Sequence, residues 1–207
     1  MYEEKHGVAY SVCPDGERFE LPSGEAYEVE YERLKKRVEE QWALGREIVV
    51  VMGLGFVGAV MAAVVADSQS EPIKFVIGMQ RPSSRSFWKI PMINRGICPM
   101  KAEDPEVAPV FDRCVKEKQT LVATYTYDIL KLADVVVVDI QCDYVKEALG
   151  NVRNGSADLK ALEESLEIIA RHIPADTLVL IETTVPPGTT EQVAYPIMRK
   201  VFRKRGI

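Results

Sequence analysis

The stretch Ile48-Val-Val-Val-Met-Gly53-Leu-Gly55-Phe-Val-Gly58-Ala-Val-Met-Ala-Ala decides how this chain is read. Ile48–Met52 is an unbroken apolar run of strand length, the pattern of a strand buried on both faces. Gly53, Gly55 and Gly58 follow at Gly-x-Gly-x-x-Gly spacing. Gly53 allows a tight turn, Gly55 lets a pyrophosphate approach the backbone, and Gly58 lets the next helix lie close to the sheet. Ala59, Ala62 and Ala63 serve the same close packing. Phe56 and Val57 open that helix, where free amides and the positive dipole end face an anion. The glycine pattern alone is weak evidence. Set between a strand and a helix, with another strand about 20 residues on, it specifies a dinucleotide-binding unit.

Working outward, apolar runs of strand length alternate with helix-length segments. The expected strands are Ile48–Met52, Ile73–Met79, Leu121–Thr124, Val135–Ile140 and Leu178–Thr183. Helices are expected over Val57–Ala66 and over Leu159–His172, with Asp158 as its N-cap. A last helix is expected from Thr189, where Thr189-x-x-Gln192 fits a capping box. This order predicts an α/β fold, a Rossmann-like doubly wound parallel sheet with helices on both faces. The domain is expected to span 46–207.

Residues 1–45 read as an N-terminal extension. Strand-like stretches around Val8–Val12 and Arg18–Leu21 flank Cys13-Pro14-Asp15-Gly16, a hairpin signal. Tyr27, Tyr31, Leu34, Val38 and Trp42 then recur at helical spacing through Glu28–Leu44. This amphipathic helix packs on the domain that follows, or else presents a face to a partner.

The second strand carries a departure. Dinucleotide-binding folds usually end it with an acid that accepts hydrogen bonds from the adenosine ribose. Here it ends Gly78-Met79-Gln80, so Gln80 holds that place. Gln still bonds a hydroxyl but does not repel a 2′-phosphate. Arg81, Ser83, Ser84 and Arg85 follow, and cations with hydroxyls suit such a phosphate. NAD is the expected cofactor, with NADP left open. Equally, Arg81 and Arg85 are solvated or stack on the adenine.

Composition narrows the function classes. The 207 residues are 47% hydrophobic and 28% charged, with a formal net charge of −5. These are values of an ordinary globular chain, not of a disordered, collagenous or coiled-coil one. The acidity argues against a nucleic-acid role, and no apolar run reaches membrane-spanning length. The N-terminus lacks a basic-then-apolar leader, so a cytoplasmic location with reduced thiols is expected. Cys13, Cys98, Cys114 and Cys142 show no CxxC spacing, and the only histidines are His6 and His172, which argues against zinc. The basic run Arg199–Arg205 reads as a solvated helix end rather than an anion site.

Four blocks in order resemble the N-terminal NAD-binding domain of the UDP-glucose/GDP-mannose (nucleotide-sugar) 6-dehydrogenases. They are Gly53-Leu-Gly-Phe-Val-Gly58, Ile93-Asn94-Arg-Gly96-Ile-Cys-Pro99, Ala133-Asp134-Val-Val-Val-Val138, and Glu182-Thr-Thr-Val-Pro-Pro-Gly188-Thr-Thr190. The last is the most distinctive. The resemblance implies a two-step oxidation of a UDP- or GDP-sugar C6 alcohol to the uronic acid, through a cysteine thioester, with two NAD⁺ consumed. It implies a place in polysaccharide biosynthesis. It also implies that Thr184, near the nicotinamide, helps orient the water that attacks the thioester. The strand end Met79-Gln80-Arg81 resembles a subset that oxidises N-acetylated amino-sugar nucleotides. A hydroxyacid-type dehydrogenase is disfavoured by Thr183–Thr190.

Departures from the family pattern carry their own expectations. Its Asp on the second strand is Gln80, while the Arg beyond it is matched by Arg85. Its Thr-Pro after the fourth strand is replaced by Ile140-Gln141-Cys142-Asp143. Gln141 and Cys142 are therefore expected to face the dinucleotide, with Cys142 standing for a contacting Thr and not acting as nucleophile. The family's catalytic Cys and Lys have no counterpart after Thr190, so this chain alone is expected to bind dinucleotide without turnover. A stand-alone dinucleotide sensor that docks a partner through residues 1–45 is the alternative. Whether the chain forms a homo-oligomer is left open.

Overall fold

The computed structural model describes residues 9–146 and 155–207. Its centre is a five-stranded sheet built from β3 (Glu47–Met52), β4 (Lys74–Met79), β5 (Leu121–Thr124), β6 (Val135–Val138) and β9 (Leu178–Ile181), in the order β5-β4-β3-β6-β9. Every neighbouring pair is parallel, with Val50 opposite both Ile77 and Val136. This is the doubly wound α/β fold expected, and its order reverses between β3 and β6. Open sheets of this kind hold ligands in the crevice at that reversal.

The last two strands are shorter than their apolar runs. β3 leaves the sheet at Gly53, so β6 loses its partner after Val138. Asp139 N still donates to Met52 O at 2.9 Å, but Glu182 N and Thr183 N converge on the single Val138 carbonyl. The chains splay apart there and open the crevice.

The two faces are covered differently. On one lie α1 (Gly24–Ala43), a 3₁₀ segment (Tyr127–Leu132), α5 (Lys160–His172) and α6 (Tyr195–Arg205). On the other lie α2 (Phe56–Asp67), α3 (Lys89–Asn94) and α4 (Val107–Asp112). On the α2 side, β9 leaves Leu178 54% and Leu180 45% exposed.

The extension is part of the core. β1 (Tyr10–Val12) and β2 (Arg18–Glu20) form the antiparallel hairpin, with Gly16 at φ +89° closing its turn; Val8 lies outside the described residues. In α1, Leu34 and Val38 are fully buried in the cluster that holds Ile48, Val50, Phe75 and Ile77. The third buried residue is Gln41, and Trp42, expected on that face, is 43% exposed. At about 100° per residue, Gln41 returns to the Leu34 direction while Trp42 overshoots it. Thr124 and Tyr125, at the end of β5, donate to Glu30 Oε1 and Ala26 O of α1.

Both expected caps are corrected. The N-cap of α5 is Leu159, and Asp158 ends the short strand β8 (Gly155–Asp158), where its Oδ1 accepts from Lys160 N at 3.1 Å. The Thr189 hydroxyl does not cap a helix: it donates to Pro186 O at 2.7 Å. The Pro186-Pro187-Gly188 turn presents that carbonyl, and Thr190–Ala194 is a π turn leading into α6. The β7 (Asp143–Lys146) and β8 (Gly155–Asp158) hairpin was not expected. Its strands are polar, and Tyr144 and Val145 are exposed, so no core pattern announced it.

Candidate dinucleotide site

The site is assembled from the bottom of the β3–α2 turn upward. Gly53 sits at φ +103°, and a Cβ there would stand 2.3 Å from Asp139 O. A Cβ on Gly58 would stand 2.0 Å from Gly53 O. These glycines hold the turn closed. Gly55 differs: its φ is −72°, and a Cβ would meet nothing within 4 Å. The fold makes no steric demand for glycine here; open space lies beside it, next to the helix start. The first bond of α2 runs from Ala59 N to Gly55 O, so the amides of Phe56, Val57 and Gly58 have no partner within the helix. A cradle for a diphosphate has these features. Phe56 and Val57 turn their side chains outward, 70% and 55% exposed.

Leu54 fastens this turn to the domain. Its side chain is fully buried against Gly78, where a Cβ would stand 2.7 Å from Leu54 Cδ2. Its amide donates to Gln80 Oε1 at 2.9 Å, and its carbonyl accepts from Lys89 Nζ at 2.8 Å. Gln80 thus follows β4 directly, with its side-chain amide oxygen engaged by the turn. Its Nε2 lies 3.4 Å from Ser86 Oγ. Lys89 went unnoticed in the sequence. Burial lowers its pKa below the usual lysine range. A lone lysine opening the apolar run Ile90-Pro-Met-Ile93 was its only signal.

Around the crevice, Gly53, Gln80, Arg81, Tyr127, Ile140 and Ser165 line a cleft of about 190 Å³. Arg81 and Arg85 are exposed. The hydroxyls of Ser83 and Ser86 bond each other at 2.7 Å, and Arg85 O accepts from Trp88 Nε1. Asn94 of the second block bonds both ways with the backbone of Ala123, and Gly96 turns at φ +79°, so this block braces the β5 edge.

Beyond β6, Gln141 is exposed and donates to Asp143 Oδ1 at 2.8 Å. Cys142 is half-buried, with Sγ 3.8 Å from Ile140 O. Burial, then Asp143 and Asp158, push its thiol up, and burial pushes Cys114 up to about 11. Neither is a thiolate at neutral pH. Thr184 is exposed in the loop after β9 and is not among the residues that line the cleft. Asp139, beneath the glycine turn, also went unnoticed. Among the described residues its Oδ2 is a buried side-chain atom without a hydrogen-bond partner.

Fold and turn together define an α/β dinucleotide-binding domain. Residues 47–206 match the model of the UDP-glucose/GDP-mannose dehydrogenase family, NAD binding domain, and the chain belongs to that family. It is 28% identical over 162 residues to the UDP-N-acetyl-D-mannosamine dehydrogenase of Pyrococcus horikoshii, an alignment covering 77% of this chain and 34% of that protein. The chain thus spans about a third of that relative. Among solved structures, the NDP-N-acetyl-D-galactosaminuronic acid dehydrogenase from Methanosarcina mazei Go1 superposes with a TM-score of 0.66 at 29% identity, covering 81% of this chain and 33% of that one. The UDP-D-ManNAc dehydrogenase of Pyrococcus horikoshii follows with a TM-score of 0.58 at 26% identity, covering 75% and 32%.

Among the described residues, no group of three or more His, Cys, Asp or Glu could hold a metal, and no helix is long and apolar enough to cross a membrane.

Proposed function

We propose that this chain is the cofactor-binding part of a nucleotide-sugar 6-dehydrogenase that acts on a UDP-linked N-acetylated amino sugar. The observation that carries the reading is the glycine turn, where open space at Gly55 adjoins the amides of Phe56, Val57 and Gly58. The pyrophosphate rests on those amides, and the adenosine end lies in the cleft of Gln80, Arg81, Ile140 and Tyr127. Gln80 Nε2 and Arg81 meet the ribose, and Arg85 stands by at the rim. Gln141 and Cys142 flank the dinucleotide beyond β6. The bound cofactor supplies hydride acceptance.

Thr184 faces the nicotinamide end and positions water for the second oxidation. The amino-sugar preference is supported by the names of the relatives above. Supporting the structural place of the extension, the apolar stripe of α1 is already buried against the sheet, which disfavours docking by that face of residues 1–45. We place the protein in the cytoplasm, in polysaccharide precursor synthesis.

The test is calorimetric titration with NAD⁺ and NADP⁺, beside an assay for NADH formed from UDP-N-acetylmannosamine. The expected result is NAD⁺ binding without turnover. NADH production by this chain alone, or no dinucleotide binding by folded protein, contradicts the reading.

A further inference from the structure

Asp139 is unusual for where it stands. It follows β6 directly, and its backbone is fixed by the bond from its amide to Met52 O. Its carboxyl is pressed onto the glycine turn: a Cβ on Gly58 would stand 2.8 Å from Oδ2, on the side where Gly53 O also lies. Oδ2 is shielded from solvent and has no partner among the described residues. The charge facing it from β9 is Glu182, of like sign. From the turn and α2 its neighbours are the backbone of Gly53 and Gly58, and no cation is among the groups that act on it. A carboxylate with one oxygen buried and unpartnered is costly to ionise, and a diphosphate arriving above the same turn adds further negative charge. Protonation removes both penalties.

We propose that Asp139 is a proton-gated positioning residue: it is neutral when a dinucleotide lies on the glycine turn, so cofactor binding takes up a proton there. This rests on the dinucleotide reading given above. The proton comes from solvent and no covalent bond changes. Burial and Glu182 already hold this carboxyl above the usual range in the free chain. A bound polyanion raises it further. Dinucleotide affinity therefore falls as pH rises through that interval, by up to about tenfold per pH unit.

The experiment is calorimetric titration of the chain with NAD⁺ from about pH 5 to about pH 9, in buffers of contrasting ionisation enthalpy. Wild type is expected to take up a fraction of a proton, at most about one, and to bind more weakly at high pH. Asp139→Asn is expected to bind without that uptake, with a flat profile and higher affinity than wild type at alkaline pH. Asp139→Ala gives the same flat profile if the Asn variant fails to fold. Glu182→Gln keeps the slope but moves it to lower pH. An unchanged slope in folded Asp139→Asn or Asp139→Ala, or no proton uptake by wild type, overturns the proposal. Folded wild type that binds no NAD⁺ at any pH overturns the dinucleotide reading itself, and the gate with it.

Discussion

At the β3–α2 turn, Leu54 is held by its side chain, its amide and its carbonyl, through Gly78, Gln80 and Lys89. Beyond β6 and β9, Thr184 is exposed on a loop, Gln141 bonds its neighbour Asp143, and Cys142 lies by Ile140 O and Thr183. The first region is braced by contacts across the fold. The second has a strand end and little else around it. This contrast teaches that the glycine turn is pre-organised within this chain, whereas the loop that carries Thr184 is not braced in the same way.

The glycines give the largest test of that contrast. Gly58→Ala drives a Cβ to 2.0 Å from the Gly53 carbonyl, so backbone must move. It is expected to cost about 3 kcal/mol or more in denaturant unfolding, and dinucleotide binding with it. Gly55→Val has ordinary φ and open space, so unfolding stability should hold within about 1 kcal/mol while NAD⁺ affinity falls about 100-fold. A variant at Gly55 that unfolds, or that binds normally, breaks the distinction between a glycine needed by the fold and one needed by the ligand.

Next in size is Lys89→Met, which removes the donor to Leu54 O. Calorimetry is expected to show about tenfold weaker NAD⁺ binding, in line with one charged hydrogen bond. A smaller effect is expected away from the site. Asp67 accepts from Arg113 at 2.6 and 2.8 Å and pairs with Lys118, and these cations hold its carboxyl well below the usual range. A carboxyl depressed in the folded state stabilises the protein above its ordinary pKa and loses that contribution as pH falls. Thermal melts should therefore show wild type losing its advantage over Asp67→Asn, on the order of 2 kcal/mol at neutral pH, below about pH 4.

The smallest effects belong to the open end. Cys142→Ser is expected to leave NAD⁺ affinity within tenfold, since the thiol is neutral and its contact to Ile140 O is long. Thr184→Val should alter stability by under about 0.5 kcal/mol, because the side chain is exposed. A large loss in either would show that this end is already built.

What the sequence disclosed follows the same division. Gly53 and Gly58 were legible because a tight turn and a close helix are local demands, written in adjacent residues. The Val and Ile runs of β3 and β6 were legible because burial on both faces leaves no polar position. Lys89 and Asp139 were not, since each acts on the turn from a distant part of the chain. Asp139 also ends an apolar strand, where one acid looks like a boundary. Thr189 misled because its capping spacing was right while the prolines ahead of it offered its hydroxyl a carbonyl. Gln80 was seen at the correct place, but the bond from Leu54 N depends on how the turn folds back, which spacing does not reveal.

The most direct measurement is calorimetric titration of NAD⁺ into wild type and Gly55→Val, with thermal melts of both. A pre-organised cradle predicts one dinucleotide bound per wild-type chain, and a Gly55→Val protein equally stable yet binding about 100-fold more weakly. Folded wild type that takes up no NAD⁺, or Gly55→Val that binds as wild type does, would contradict it.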